Sequence, residues 1–178
     1  DLEMYIFTPD ASGTAIRDAL ARAADRGVTV RVHYDAVGSG DGGAEFFEPI
    51  ARAGGHLVEF HPIAPWRVRV GKLGHFQHWE PNARDHRKLL VCDAPASWVH
   101  AKSPPRDTED PERVAFAITG GRNIADEYLG QTLHEGQWRD AGVVIMGPSA
   151  RELGTLFDSM WSHSRGASVA VPALPDVK

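Results

Sequence analysis

Apolar positions in the first sixty residues alternate between two periods. Leu2 to Thr8 is an apolar and aromatic run, and Val28-Thr29-Val30-Arg31-Val32-His33-Tyr34 is rich in β-branched residues, so both predict strands. Between them Ile16, Leu20, Ala23 and Ala24 follow helical spacing, with Asp10 and Ser12 as candidate N-caps and Gly27 where a helix ends. After a turn-rich stretch, Gly38 to Gly43, the pattern predicts a helix from about Ala44 to Ala53, closed by Gly54-Gly55, and a third strand, His56 to Phe60. Strands separated by helices of this length imply right-handed crossovers. The expected fold is therefore α/β, an α/β/α sandwich around a mixed, mainly parallel sheet.

The second half is less regular. Residues 61 to 85 hold three prolines and three aromatics with no clean period and predict a long loop. Lys88 to Cys92 returns to strand. Residues 94 to 113 hold four prolines among mixed charges and predict an exposed insertion. Val114 to Thr119 predicts a strand, Gly120-Gly121 leads into a short helix from Ile124 to Leu129, and Val143 to Met146 predicts a further strand. A last helix, from about Pro148 to His163, carries Leu153, Leu156, Phe157, Met160 and Trp161 on one face. Residues 1 to 165 are read as a single domain and 166 to 178 as a linker or tail. The chain opens inside a predicted strand, as a piece of a longer protein would.

Composition narrows the function. With 178 residues, 42% hydrophobic and 24% charged, the chain has the balance of a globular domain. Its formal charge of -5 provides no overall basic field for a polyanion, so nucleic acid is the less favoured partner. One cysteine, Cys92, precludes an intrachain disulfide, and a buried, inert thiol is expected of it. No apolar run reaches the roughly 20 residues a membrane-spanning helix requires.

The chemistry concentrates in His86-x-Lys88-x4-Asp93, followed by Gly120-Gly121-Arg122-Asn123. Residues two apart on a strand share a face, so an imidazole and an ammonium converge. That pair suits attack on a phosphodiester: the histidine as nucleophile or proton donor, the lysine as a compact positive charge for a phosphate oxygen. Asp93 has the opposite parity and is expected to brace the motif. Standing alone, a His-x-Lys pair would be an ordinary surface pattern. His75-x-x-His78 with His61 could suggest a metal cluster, but the third ligand is distant, so no metal is expected. Gly38 to Gly43 lacks the lysine of a phosphate-binding loop.

The ordered set Asn82-x-Arg84-x-His86-Arg87-Lys88-Leu89-Leu90-Val91-x-Asp93, Gly120-Gly121-Arg122-Asn123-Ile124-Ala125-Asp126-Glu127-Tyr128 and Trp138-Arg139-Asp140 resembles the phospholipase D superfamily, most closely its bacterial cardiolipin synthase-like branch. The resemblance implies that His86 is the phosphohistidine-forming nucleophile or the acid for the leaving alcohol, and that Lys88 and Asn123 hold phosphate. It implies that Asp140 orients the histidine and that Gly120 and Gly121 let the backbone approach the site. Glu3 falls where such proteins often place an acid near the site. Trp66, Phe76 and Trp79 either line a substrate pocket, with peripheral membrane contact, or pack their loop onto the domain.

The implied activity is that of a phosphatidyltransferase or phosphodiesterase acting on a phospholipid, without a cofactor. The family site is built from two motif copies, and this chain has one. The second half is expected from a longer chain or from a homodimer, with the motif at one edge of the sheet facing it. The alternative is a single-motif nuclease working as a homodimer. The resemblance leaves the compartment open between a membrane-peripheral and a soluble protein.

Overall fold

The computed structural model describes residues 1–61, 83–95, 113–129 and 137–165. In chain order the elements are β1 (Leu2–Met4), α1 (Ala11–Asp25), β2 (Arg31–Asp35), α2 (Gly43–Arg52) and β3 (His56–Phe60). They continue as β4 (Lys88–Pro95), β5 (Arg113–Gly120), α3 (Asp126–Leu129), β6 (Gly142–Met146) and α4 (Pro148–Ser164). The strands form one six-stranded sheet in the order β3-β2-β1-β4-β5-β6. The mixed α/β sheet is as expected. Its parallel pairs join β1, β2 and β3, where helical crossovers connect the strands, while β1–β4, β4–β5 and β5–β6 pair antiparallel.

Local chemistry explains where the elements begin and stop. Asp10 caps α1 by accepting the Gly13 N–H at 2.8 Å, and its other oxygen accepts the Asp126 N–H at 2.7 Å, tying α1 to α3. β1 is shorter than the apolar run because side chains take over its backbone. The Ile6 N–H donates to Asn123 Oδ1 and the Phe7 N–H to Ser39 Oγ, after which Phe7 forms an isolated parallel bridge with Ile124. β2 begins at Arg31 because Val28, still tied by its N–H to Ala23 O, closes the end of α1.

Two cores pack on opposite faces of the sheet. On one, Leu2, Met4, Val32 and Tyr34 meet Phe46, Phe47 and Ile50 of α2 and Ile16, Leu20 and Ala24 of α1. On the other, Leu89, Val91 and Ala117 meet Ala150, Phe157 and Trp161 of α4. The face that α1 and α2 cover over β1–β3 is bare over β5 and β6, where Ile118, Val144 and Met146 are exposed among the described residues.

This asymmetry corrects two expectations. Cys92 is exposed rather than buried, because it stands on the β4 face beyond the reach of α1 and α2. The motif strand β4 lies inside the sheet between β1 and β5 rather than at its edge, which is occupied by β6. The loop expected over residues 61 to 85 and the insertion expected over 94 to 113 lie mostly outside the described residues.

Candidate active site

β4 sorts the motif by parity. Lys88 pairs with Met4 and Leu89 with Glu3, so even-numbered motif residues share the face of Met4 and odd-numbered ones the face of Glu3. His86 and Lys88 thus turn to one side, and Asp85 and Arg87 to the other.

On the first side, Lys88 Nζ sits 3.0 Å from His86 Nδ1 and donates to the His86 carbonyl oxygen at 2.7 Å. The Lys88 side chain is buried, and burial holds its pKa below the ordinary lysine value, while the charges of Asp140 and Asp85 act in the opposite direction. The His86 ring packs on Tyr5 with centroids 4.0 Å apart, and Lys88 Nζ lies 5.2 Å from the centre of the same Tyr5 ring. Thr119 Oγ1 donates to the Lys88 carbonyl at 2.9 Å and joins the motif to β5.

Asn123 is buried at the end of β5, its Oδ1 accepting from the Ile6 N–H at 3.2 Å. Asp140 is exposed before β6 and accepts the Ala141 N–H at 2.7 Å; among the described residues no hydrogen bond joins it to His86. A Cβ on Gly121 would fall 2.3 Å from both Asp140 carboxylate oxygens, so the glycine makes room for the acid. Asp93 is exposed five residues beyond Lys88, about 17 Å along the strand and on its opposite face. Trp66, Phe76, Trp79, His75 and His78 fall outside the described residues. Beside Asp140 an open cavity of about 240 Å³ is lined by Arg122, Tyr128, Trp138 and Arg139, with Tyr128 and Trp138 stacked at 6.3 Å.

Three supporting residues carried no catalytic signal in the sequence. Tyr5 forms the platform for His86. Ser39 holds that platform by donating to the Tyr5 carbonyl at 3.0 Å while accepting from the Phe7 N–H. Asp35, fully buried at the end of β2, accepts the Val37 and Gly38 N–H groups through Oδ1 and the Asp85 N–H through Oδ2, so one carboxylate fixes both loops. The Tyr-Asp-x-x-Gly-Ser stretch from Tyr34 to Ser39 could have signalled such a turn, since aspartate accepts the N–H groups two and three residues on.

On the far side of the strand Glu3, His33 and Asp85 are all buried, with Arg87 half-buried beside them. Arg87 donates to Asp85 Oδ1 at 2.9 Å and to Oδ2 at 3.2 Å, and its Nε lies 3.2 Å from Glu3 Oε1. Glu3 thus stands on the opposite side of the sheet from His86 and Lys88.

Together these features define an α/β protein presenting an imidazole, an ammonium and a carboxamide at the ends of adjacent strands, a set suited to an anionic ester. The chain is 31% identical over 172 residues, 97% of its length, to a cardiolipin synthase of Halalkalibacterium halodurans. It is 32% identical over 92% of its length to the major cardiolipin synthase ClsA of Bacillus subtilis, and 33% identical over 94% to the cardiolipin synthase of Alkalihalophilus pseudofirmus. It spans 28% of the length of each of these three relatives. No protein-family model matches. Among solved structures, polyphosphate kinase from Porphyromonas gingivalis superimposes with a TM-score of 0.50 at 14% identity, over 96% of this chain and 22% of that one, a likeness of fold. Nearly the whole chain is therefore related to about a quarter of a cardiolipin synthase.

Proposed function

We propose that this chain is one motif-bearing half of a phospholipase D-type phosphatidyltransferase that acts on a phospholipid through a phosphohistidine intermediate. The observation that carries this reading is the contact of Lys88 Nζ with His86 Nδ1 at 3.0 Å on a Tyr5 platform, next to the buried Asn123, in a chain so similar to cardiolipin synthases.

In the first step one site histidine attacks phosphorus, and the other protonates the departing alcohol as the P–O bond breaks. Lys88 and the Asn123 amide NH₂ stabilise charge on the non-bridging oxygens. An acceptor alcohol, deprotonated by the second histidine, then displaces the first from phosphorus. Water in place of that alcohol gives hydrolysis. Asp140 acts on this centre through its charge and, once substrate is bound, as an orienting acid. Asp93 braces the strand. The single domain spans residues 1 to 165.

The second histidine comes from another half, in the same longer protein or in a second copy. The bare face of β5 and β6 supports this. Ile118 pairs with Val144 and Phe116 with Met146, so these side chains share the face of Lys88, and β6 leaves a sheet edge open among the described residues. A half docked there would cover the face on which Lys88 stands. The cavity beside Asp140, with Arg122 and Arg139, suits an anionic headgroup.

The test offers phosphatidylglycerol, phosphatidylcholine and single-stranded DNA in parallel to the full protein and to its His86→Ala variant. Lipid turnover abolished by the substitution is expected. Cleavage of DNA alone would move the function to a nuclease, and lipid turnover that survives His86→Ala would end the mechanism.

A further inference from the structure

Beneath the motif lies a polar cluster that the reaction does not use. Glu3 and His33 are each 1% exposed and Asp85 5%. The three buried side-chain atoms without a hydrogen-bond partner, among the described residues, are Glu3 Oε1, Glu3 Oε2 and His33 Nδ1. Asp85 closes the group: His33 Nδ1 is 3.8 Å from Glu3 Oε1 and 3.5 Å from Asp85 Oδ2, and an oxygen of each acid lies within 4.8 Å of the other. His33 Nε2 is 2.8 Å from the Ser164 hydroxyl at the end of α4, so its ring is fixed from behind.

Charge decides what completes the cluster. Among the described residues, two carboxylates and one guanidinium leave one excess negative charge in this buried cluster, a costly arrangement unless a proton or another cation neutralises it. Arg87 already bonds both Asp85 oxygens and approaches Glu3, so a metal ion there would stand against a guanidinium. A proton meets no such repulsion.

We propose that Glu3 is held as a carboxylic acid that shares its proton with Asp85, and that this pair, with His33 and Arg87, forms a buried clamp that positions His86 and Lys88. The clamp grips both odd-numbered residues of the Asp85-His86-Arg87-Lys88 run, so the intervening even-numbered side chains have one direction left. Asp35 secures the same run through the Asp85 N–H. The assignment of these four as positioning residues rests on the proposed phospholipid reaction; the clamp itself does not.

The ionisation preferences agree. Burial, then the hydrogen bond and charge of Asp85, push Glu3 up to about 9. Burial raises Asp85 as well, but hydrogen bonds from Glu3 and Arg87 outweigh it and bring it to about 2. Burial lowers His33 to about 4 against the opposing charge of Asp85, with Arg87, Asp35 and His61 contributing, so the imidazole stays neutral. Because the folded pKa of Glu3 lies above its ordinary 4.5, its contribution to stability is complete below that value and is lost as pH rises toward 9. His33 works the other way between its ordinary 6.5 and about 4, and Asp85 only below 3.8, so of this cluster Glu3 alone acts between pH 7 and 9.

The experiment compares Glu3→Gln and Glu3→Ala with the parent in the full protein. The glutamine amide replaces the acid O–H as donor to Asp85. Glu3→Gln should keep kcat and KM within about threefold, whereas Glu3→Ala should lower kcat by about 10- to 100-fold at similar KM, the range for lost supporting bonds. The thermal midpoint of the parent should fall between pH 7 and 9, and that of Glu3→Gln should stay level. A glutamine variant as impaired as the alanine one, equal pH slopes, or stoichiometric divalent metal in the purified parent that Glu3→Gln removes would each overturn the clamp. The pH slopes need no substrate, so a failure of the phospholipid reading leaves them decisive.

Discussion

His86 and Lys88 are coupled closely enough that neither can be changed without altering the other. Removing the ammonium by Lys88→Met deprives His86 Nδ1 of its donor and, in the proposed reaction, the phosphate of its counter-charge. Turnover should fall by about 10²- to 10³-fold, the range for losing one preorganised donor, with little change in the thermal midpoint. A variant retaining more than a tenth of parental kcat would place the phosphate elsewhere. Gly121 is the other sensitive position. Gly121→Ala puts a methyl group 2.3 Å from both Asp140 oxygens, so the acid must move. Steady-state kinetics should show a loss in kcat that Asp140→Gly, introduced together with it, does not deepen. The pair His86 and Lys88 was legible in the sequence because a two-residue spacing on a strand forces a common side. Tyr5 and Ser39 were not legible, since their role depends on the β1 chain leaving its ladder after Met4, which no local pattern records.

At the scale of elements, the helices were readable because caps and periodicity are local. Asp10 was identifiable as a cap, and it also holds α3 through Asp126, a contact 116 residues apart that no local pattern signals. Asp10→Ala should cost about 1 kcal/mol for the cap alone in denaturant unfolding. α4 is the single described cover of its sheet face. Phe157 is fully buried there, with Trp161 stacked at 5.7 Å and the Arg31 guanidinium 4.9 Å from its ring centre. Phe157→Ala should destabilise the fold by about 3–5 kcal/mol, measured by chemical denaturation. The strand order could not be read in advance, because apolar periodicity says which face of a strand is inward but not which strand lies beside it. That is why β4 was expected at the edge and lies inside, and why the β1–β4 register that brings Glu3 to Arg87 emerged only from the fold.

Among the described residues of the whole molecule, one sheet face is covered over β1 to β3 and bare over β5 and β6, and the bare part continues from the face of Lys88. Cys92, expected inside, is exposed on this same side. Val144→Lys tests whether the face meets a second half. In the isolated chain it should change stability by no more than about 0.5 kcal/mol, as an exposed position would. In the full protein it should lower turnover; strong destabilisation of the isolated chain would show instead that its own residues cover the face. The proposed reaction passes through a covalent phosphohistidine, which rapid acid-free quenching of the full protein with phosphatidylglycerol labelled at its phosphorus would capture. The chemistry predicts protein-bound label that is stable to base, labile to acid and missing from His86→Ala; adduct and turnover at parental levels in His86→Ala would contradict it.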